Sequence, residues 1–393
     1  MRALAVAAFA AALPLALAAA PAAGEKLGPL PTYTAAYQPT TVDERGLWQQ
    51  ADEQERALRD SPAVIRDAAL NAYVKGVLCH AVGEDRCRSV RVYIVRVPAF
   101  NATMSPNGTM IVWTGLLLRV RNEAELAAIL GHEFGHFELR HSLSSFKSAR
   151  TTTDIMSWAS VLAPYNSGSL ATSLIGLHFS YNRAQESDAD LMGLRYMRAA
   201  SYRPAAFPRV WERMMAESDA SALGRRRKVT HRYSAGFFDS HPTELTRIAT
   251  LRAAAGADID IGEEGIDPFT AAMRPWRTQF LADQIKLNDF GGSEYLLGEL
   301  ADRDWTPDLL LARADLYRER GNPRDLVSAA EFYQAAIDHG CTDPVAWRGL
   351  GLSLLRAQQA DAGRAALAAY LARAPQAPDR AAMSMLIGSG DAK

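Results

Sequence analysis

The chain has 393 residues, 48% of them hydrophobic and 22% charged, with a formal net charge of -1. That is a globular balance with room for two domains. It carries no electrostatic footprint for nucleic acid or for an acidic membrane surface. From the N-terminus, Met1-Arg2 gives a short positive region, Ala3 to Ala20 is apolar, and small residues follow. The pattern predicts a secretory signal peptide over residues 1–22, cleaved after Ala22 in Ala20-Pro21-Ala22, with an uncleaved anchor helix as the alternative. No Cys follows the apolar run, so there is no lipoprotein acceptor. Three cysteines remain, Cys79, Cys87 and Cys341. Cys79 and Cys87 can close a short loop and leave Cys341 over, or all three can stay thiols; spacing alone does not decide.

Residues 24–41 hold Pro29, Pro31 and Pro39 and read as an extended leader. Helices are expected near 42–59 and 64–82, the second with Ile65, Ala68, Ala69, Ala72, Tyr73, Val77 and Leu78 on one face. Arg88 to Val97 reads as a strand, Asn107-Gly108 as a turn, and Thr109 to Thr114 as a second strand. The next helix starts near Asn122, a capping residue with Glu125 three positions on, and Leu126, Ile129 and Leu130 form its apolar face. Residues 155–182 contain no Asp, Glu, Lys or Arg, but Pro164 and Gly168 interrupt them. A spanning helix needs about 20 continuous apolar residues, so two short buried segments are expected, with a membrane-touching lip as the alternative. A further helix runs from Tyr181 to Ala199. Arg225-Arg226-Arg227-Lys228 reads as a solvated loop. Gly262-Glu263-Glu264-Gly265 with Asp267-Pro268 predicts a domain boundary. The domains are therefore expected at 23–262 and 268–385. In the second, Trp347, Leu350, Gly351, Leu354, Leu367 and Pro375 fit the spacing of a tetratricopeptide repeat. Leu310, Tyr317, Gly321, Tyr333 and Ala336 fit it again with an insertion near Asn322-Pro323, and a degenerate unit is read between Trp276 and Leu300. An unrelated helical hairpin domain is the alternative.

His132-Glu133-Phe134-Gly135-His136 carries the chemistry. Two histidines four apart on a helix project from one face and can grip one metal ion. Zinc takes nitrogen and oxygen ligands and in catalytic sites keeps one position for water. Glu133 stands beside that position rather than on the metal, where a general base belongs. The motif arises by chance in roughly one chain of this length in a hundred, so context matters. It lies late in an amphipathic helix, an export signal precedes it, and a third ligand is available downstream. That candidate is Glu186, in Asn182-Arg183-Ala184-Gln185-Glu186-Ser187-Asp188-Ala189-Asp190. Asp190 is one turn on and can accept the second ring N–H of a ligating histidine. Without the upstream motif both acids would read as solvated helix residues.

At these residues the chain resembles the HtpX/BepA-like, prenyl-protease-like zinc metallopeptidases of family M48, and most of all the exported members with C-terminal tetratricopeptide repeats. The likeness runs over roughly residues 40–255. It rests on Asn101-Ala102 through Gly108, Thr114-Gly115-Leu116, Glu123 through His141, Glu186 through Asp190, and Ser240-His241-Pro242 followed by Arg247-Ile248. The segment Thr103-Met104-Ser105-Pro106-Asn107 is less Gly- and Phe-rich than the family pattern. The resemblance implies a mainly α fold with a small β-sheet, a zincin-type core and one zinc ion per subunit. Carried over by position, His132, His136 and Glu186 are ligands, Glu133 is the base, and Asp190 supports a ligand. His241 falls near the site, either over the metal's open position as a restraint or as an oxyanion donor; a turn residue before Pro242 is the plain alternative.

His141 is expected to continue the helix, nine residues from His132 and off the ligand face, and reads as structural. His80, His178, His231 and His339 have no spacing partner. The sequons at Asn101 and Asn107 are taken as accidental. The expectation is a periplasmic zinc endopeptidase, exported by its signal peptide, with peripheral attachment to the outer membrane as an option. Its substrates would be unfolded or misassembled envelope proteins, and its repeats would contact substrate or assembly machinery. An envelope chaperone or adaptor with a structural or plugged zinc site is the rival, and Glu133 argues against it. An intramembrane protease is disfavoured by the broken segment at 155–182.

Overall fold

The computed structural model describes residues 27–151, 181–229, 245–302 and 304–388. The expected signal peptide, the uncharged stretch up to Ser180, His178, His231 and His241 lie outside the described residues. Helix α1 (Val42–Asp60) starts at a capping box between Thr41 and Glu44. Helix α2 (Ala68–Val82) is capped by Asp67 rather than starting at 64. The four preceding residues are held out of the helix by sheet contacts: Val64 bridges Val95, and Ile65 N–H donates to Ile94 O at 2.8 Å. A one-turn helix α3 (Glu84–Cys87) follows, and Cys79 and Cys87 are disulfide-bonded across it, leaving Cys341 as a half-buried free thiol.

The sheet has three strands, β1 (Arg91–Val95), β2 (Ala102–Met104) and β3 (Thr109–Trp113), in the order β1-β3-β2. β1 runs parallel to β3 with Arg91 opposite Thr109, and β2 runs antiparallel to β3 with Ala102 opposite Val112. The second expected strand stops at Trp113. Thr114 opens helix α4 (Thr114–Arg119) because the Gly115 N–H turns to Val97 O, at 2.9 Å. Only glycine fits there, since a Cβ would stand 2.2 Å from the carbonyl oxygens of Pro98 and Ala99.

Helix α5 (Glu123–Glu138) is capped by Asn122, which accepts from Glu125 N–H, and it is buried from Ala124 to His136. Around it pack α6 (His141–Thr151), α7 (Arg183–Ala199) and α8 (Ala206–Gly224), and α9 (Leu245–Ala255) packs in turn on α7 and α8. Arg225 to Lys228 are exposed, as the loop reading expects.

Past the turn at Gly262–Gly265 come α10 (Ile266–Ile285) and α11 (Phe290–Ala301). The break in composition there is not a break in the core. Phe269, Met273, Phe280, Leu281 and Leu296 belong to the same apolar cluster as Leu126, Ile129 and Phe134 of α5. Two polar ties cross the same line, a hydrogen bond from Arg119 of α4 to Gln284 of α10 and an ion pair of Arg96 with Asp283. The Gly- and acid-rich stretch is a surface turn, and turn chemistry reports exposure, not where packing ends. The remaining helices, α12 (Pro307–Arg320), α13 (Pro323–Asp338), α14 (Val345–Arg356), α15 (Ala360–Arg373) and α16 (Arg380–Gly388), each pack on the next. They bury clusters of their own, around Tyr333 and Leu350 and around Leu367 and Met383. Among the described residues, no helix is long and apolar enough to cross a membrane.

Candidate metal centre

The centre forms where α5 and α7 cross. Two small residues set the spacing: a Cβ on Gly193 would stand 3.0 Å from the Phe207 ring and 3.2 Å from His132 N, and one on Gly135 would stand 3.2 Å from Ala189 O. Close approach brings the α7 acids onto the histidine face of α5. His132 Nε2 and His136 Nε2 are 3.1 Å apart, and each lies 3.5 Å from an oxygen of Glu186. All three side chains are fully buried. A tetrahedral zinc with bonds of about 2.0–2.1 Å sets its ligand atoms roughly 3.3 Å apart, so this triangle has the size that zinc requires. Among the described residues it is the group of His, Cys, Asp and Glu side chains placed to hold a metal ion.

The hydrogen bonds fix which nitrogens face inward. His132 Nδ1 is 3.0 Å from Asp190 Oδ1, so Nδ1 carries the proton and Nε2 presents its lone pair. His136 Nδ1 lies 2.8 Å from His141 Nδ1. For His136 Nε2 to be a donor atom to a metal, His136 Nδ1–H donates and His141 carries its own proton on Nε2. His141 does not continue α5, contrary to the sequence reading. Leu139 ends that helix, Arg140 takes a left-handed φ of 57°, and the chain folds back so that His141 meets His136. The Tyr181 ring stacks on His136 at 3.9 Å between centroids, and its hydroxyl meets Ser142 Oγ at 2.9 Å.

Arg247, near the start of α9, closes the cluster. Its Nη1 donates to Glu186 Oε2 at 2.8 Å, and its Nε and Nη2 donate to the two oxygens of Asp190 at 2.7 Å each. Its guanidinium also sits 5.3 Å above the Trp211 ring. The sequence reading recorded Arg247 only as part of the stretch after His241. Nothing in local spacing connects residue 247 with 186 and 190, so the tertiary fold alone supplies that link.

Electrostatics give an independent test of metal fit. Glu133, Glu186 and Asp190 are buried with a single guanidinium among them, an excess of negative charge that a divalent cation would cancel. Burial, then the charge of Glu186, pushes the Glu133 carboxyl well above its ordinary range. Burial pushes Glu186 up to about 8, against the pull of Arg247. Asp190 goes the other way: burial opposes its ionisation, but Arg247 and His132 hold it below the usual range. Burial lowers His132, which favours the neutral imidazole that a metal needs. The structure thus brings together His132, Glu133, His136, Glu186 and Asp190.

A buried triad of two imidazoles and a carboxylate, with a further carboxylate on the same helix turn, defines the class of zinc-dependent hydrolase sites. Comparison with known proteins agrees. Residues 65–255 match the model of peptidase family M48. The mitochondrial metalloendopeptidase OMA1 of Schizosaccharomyces pombe is 33% identical over 162 residues, 41% of this chain and 45% of the relative. The putative beta-barrel assembly-enhancing protease of Vibrio cholerae is 27% identical over 198 residues, 47% of this chain and 40% of its own. The Escherichia coli beta-barrel assembly-enhancing protease is 22% identical over 200 residues, again 47% and 40%. The chain thus spans less than half the length of each of these relatives.

Proposed function

We propose that the protein is a zinc endopeptidase of the bacterial cell envelope that hydrolyses misfolded or misassembled proteins. The observation that carries the proposal is the donor triangle of His132, His136 and Glu186, with buried Glu133 beside it. Zinc bound there would supply Lewis acidity to a substrate carbonyl and make water acidic enough to attack near neutral pH. The rest falls to side chains. Asp190 holds the Nδ1 proton of His132, and His141 accepts that of His136, so both Nε2 lone pairs point inward. Arg247 keeps the Glu186 carboxylate in place and favours its ionised form against the pull of burial. Glu133 takes the proton of the attacking water on a carboxylate oxygen and passes it to the leaving amine. Its raised proton affinity suits a group that must accept a proton before giving it up. A structural zinc site has no use for that carboxylate, which disfavours the chaperone or adaptor reading.

The envelope location rests on the apolar, small-residue N-terminus and on the printed names of the beta-barrel assembly-enhancing relatives. We read helices α12 to α16 as repeat-like pairs that hold substrate or assembly partners, because stacked helix pairs present extended binding surfaces. His241, shortly before α9, is proposed to shield the metal's open position at rest; a rise in casein cleavage by His241→Ala supports this, and a fall makes His241 an oxyanion donor instead. The test of the main proposal is metal content together with casein cleavage, with and without chelator. One zinc per chain with chelator-sensitive cleavage is expected. A purified protein with neither metal nor cleavage overturns it.

A further inference from the structure

Away from the metal centre lies a cavity of about 390 Å³, between α4 and the helices α10 and α11. Arg121 lines it just before α5 begins, whereas His136 lies near the other end of that helix. At 1.5 Å per residue the two are roughly 20 Å apart, so this cavity is not part of the metal centre. Its size sits at the lower end of the range for small-molecule sites, about 300–1,000 Å³.

The walls divide by chemistry. Leu117, Phe269, Met273 and Phe280 make an apolar floor, and all four are buried. Arginines at 121, 274 and 277 supply the charge. Arg277 is already matched, through two bonds to Asp308 at 2.6 and 2.8 Å. Arg121 and Arg274 form no ion pair among the described residues. Arg121 Nη1 is buried without a hydrogen-bond partner among the described residues, and burial, with Arg213 nearby, depresses its guanidinium to about 10 against the pull of Glu125, Glu299 and Glu217. An arginine fork favours a carboxylate.

We propose that this cavity binds a single-chain carboxylate amphiphile, a fatty acid of medium chain length, with its carboxylate on Arg121 or Arg274 and its chain over the apolar floor. A peptide C-terminus offers the same carboxylate, but it would also bring backbone amides into a space whose other polar lining is two threonines, Thr270 and Thr306. Buried amides without partners are costly. An acyl chain brings none. The site does not depend on the peptidase reading.

The experiment is calorimetric titration of the full chain with octanoate, decanoate and dodecanoate. Expected is saturable one-to-one binding that tightens about fourfold per added methylene. Decanol should bind about tenfold or more weakly than decanoate, because it loses the charge-assisted hydrogen bonds. Arg274→Gln, at an exposed position, should weaken decanoate while the ligand-free protein melts unchanged, and Thr270→Trp, at the exposed mouth, should block binding. Equal affinity for decanol and decanoate overturns the proposal, as does undiminished binding by Thr270→Trp. Tighter binding of an apolar peptide with a free C-terminus than of dodecanoate assigns the cavity to polypeptide ends and also overturns it.

Discussion

Two buried ionic clusters meet helix α8, one at Glu217 and the other at Trp211, and they are built to opposite ends. In one, Arg119 donates to Glu217 at 2.6 and 2.8 Å, to Gln284 at 2.8 Å and to the backbone carbonyls of Pro98 and Gly115. Charge and hydrogen bonds close there, one guanidinium on one carboxylate. In the other, Arg247 is bonded at 2.7 to 2.8 Å to two carboxylates, Glu186 and Asp190, and Glu133 is a third carboxylate buried in the same cluster. Glu133 and Glu186 are then left with raised proton affinity, beside two imidazole nitrogens 3.1 Å apart. Burial is common to both clusters. What separates a fastening from a reaction centre is whether the charge balances without a further ion.

The sharpest way to break the comparison is to cut the chain. Deletion from Pro268 onward removes Gln284 and Asp283 and uncovers the core face that Phe269, Phe280 and Leu296 cover. Such a truncation should fail to fold, whereas deletion from Cys341 onward removes mainly helices that pack on each other and should leave a folded, metal-binding protein. Circular dichroism and zinc content of the two truncations check this; a stable protein from the shorter one would show that the closed cluster fastens nothing. Next in size, Glu133→Gln should lower casein cleavage by about 10²–10⁴-fold with zinc retained and the melting temperature unchanged. Cleavage near the wild-type rate would remove Glu133 from the base role. Arg119→Ala should do the converse. Leaving Glu217 buried and unpaired costs about 3–5 kcal/mol of stability, yet the folded fraction should keep its zinc and its rate per active site. A denaturant titration beside an active-site count separates the two effects, and an unchanged midpoint would refute the closed-cluster reading.

How much of this the sequence carried follows from the range of each interaction. The two histidines and Glu133 lie within one and a half turns of one helix, and Glu186 and Asp190 within one turn of another, so local periodicity reveals both groups. That they meet was read from chemistry, since two histidines do not suffice for a catalytic zinc. Arg247 escaped because its partners lie 57 and 61 positions away and its own neighbourhood is an ordinary helix start. His141 was judged by extending α5, and the left-handed Arg140 that redirects it has no glycine to announce it. The turn at 262–265 was seen but overvalued. A run of Gly and Glu locates a surface bend, and only the three-dimensional contacts of Phe269 and Met273 tell that the core runs past it.

A third ionic cluster, open to solvent on its arginine side, should give the smallest effect and so grades the other two. Glu55 of α1 accepts from Arg91 at 2.5 and 2.6 Å and from Tyr93 at 2.9 Å, tying α1 to strand β1. Burial works against its charge, but Arg91 and Tyr93 prevail and hold the carboxyl down at about 2, against an ordinary value of 4.5. The sign follows from that order. A carboxylate with a depressed folded-state value stabilises fully above the ordinary value, and the contribution fades as pH falls from there toward the depressed one. Arg91 is nearly half exposed, so solvent screens the pair and its contribution should be nearer about 1 kcal/mol than the figure for a closed buried pair. Glu55→Gln should therefore melt a few degrees below the wild type at pH 7, and the gap should shrink steadily as the pH is lowered from 4.5 toward 2. Melting curves across that range decide it. A gap that stays constant with pH would mean that Glu55 acts through packing, and the ranking of the three clusters by charge closure would lose its lowest member.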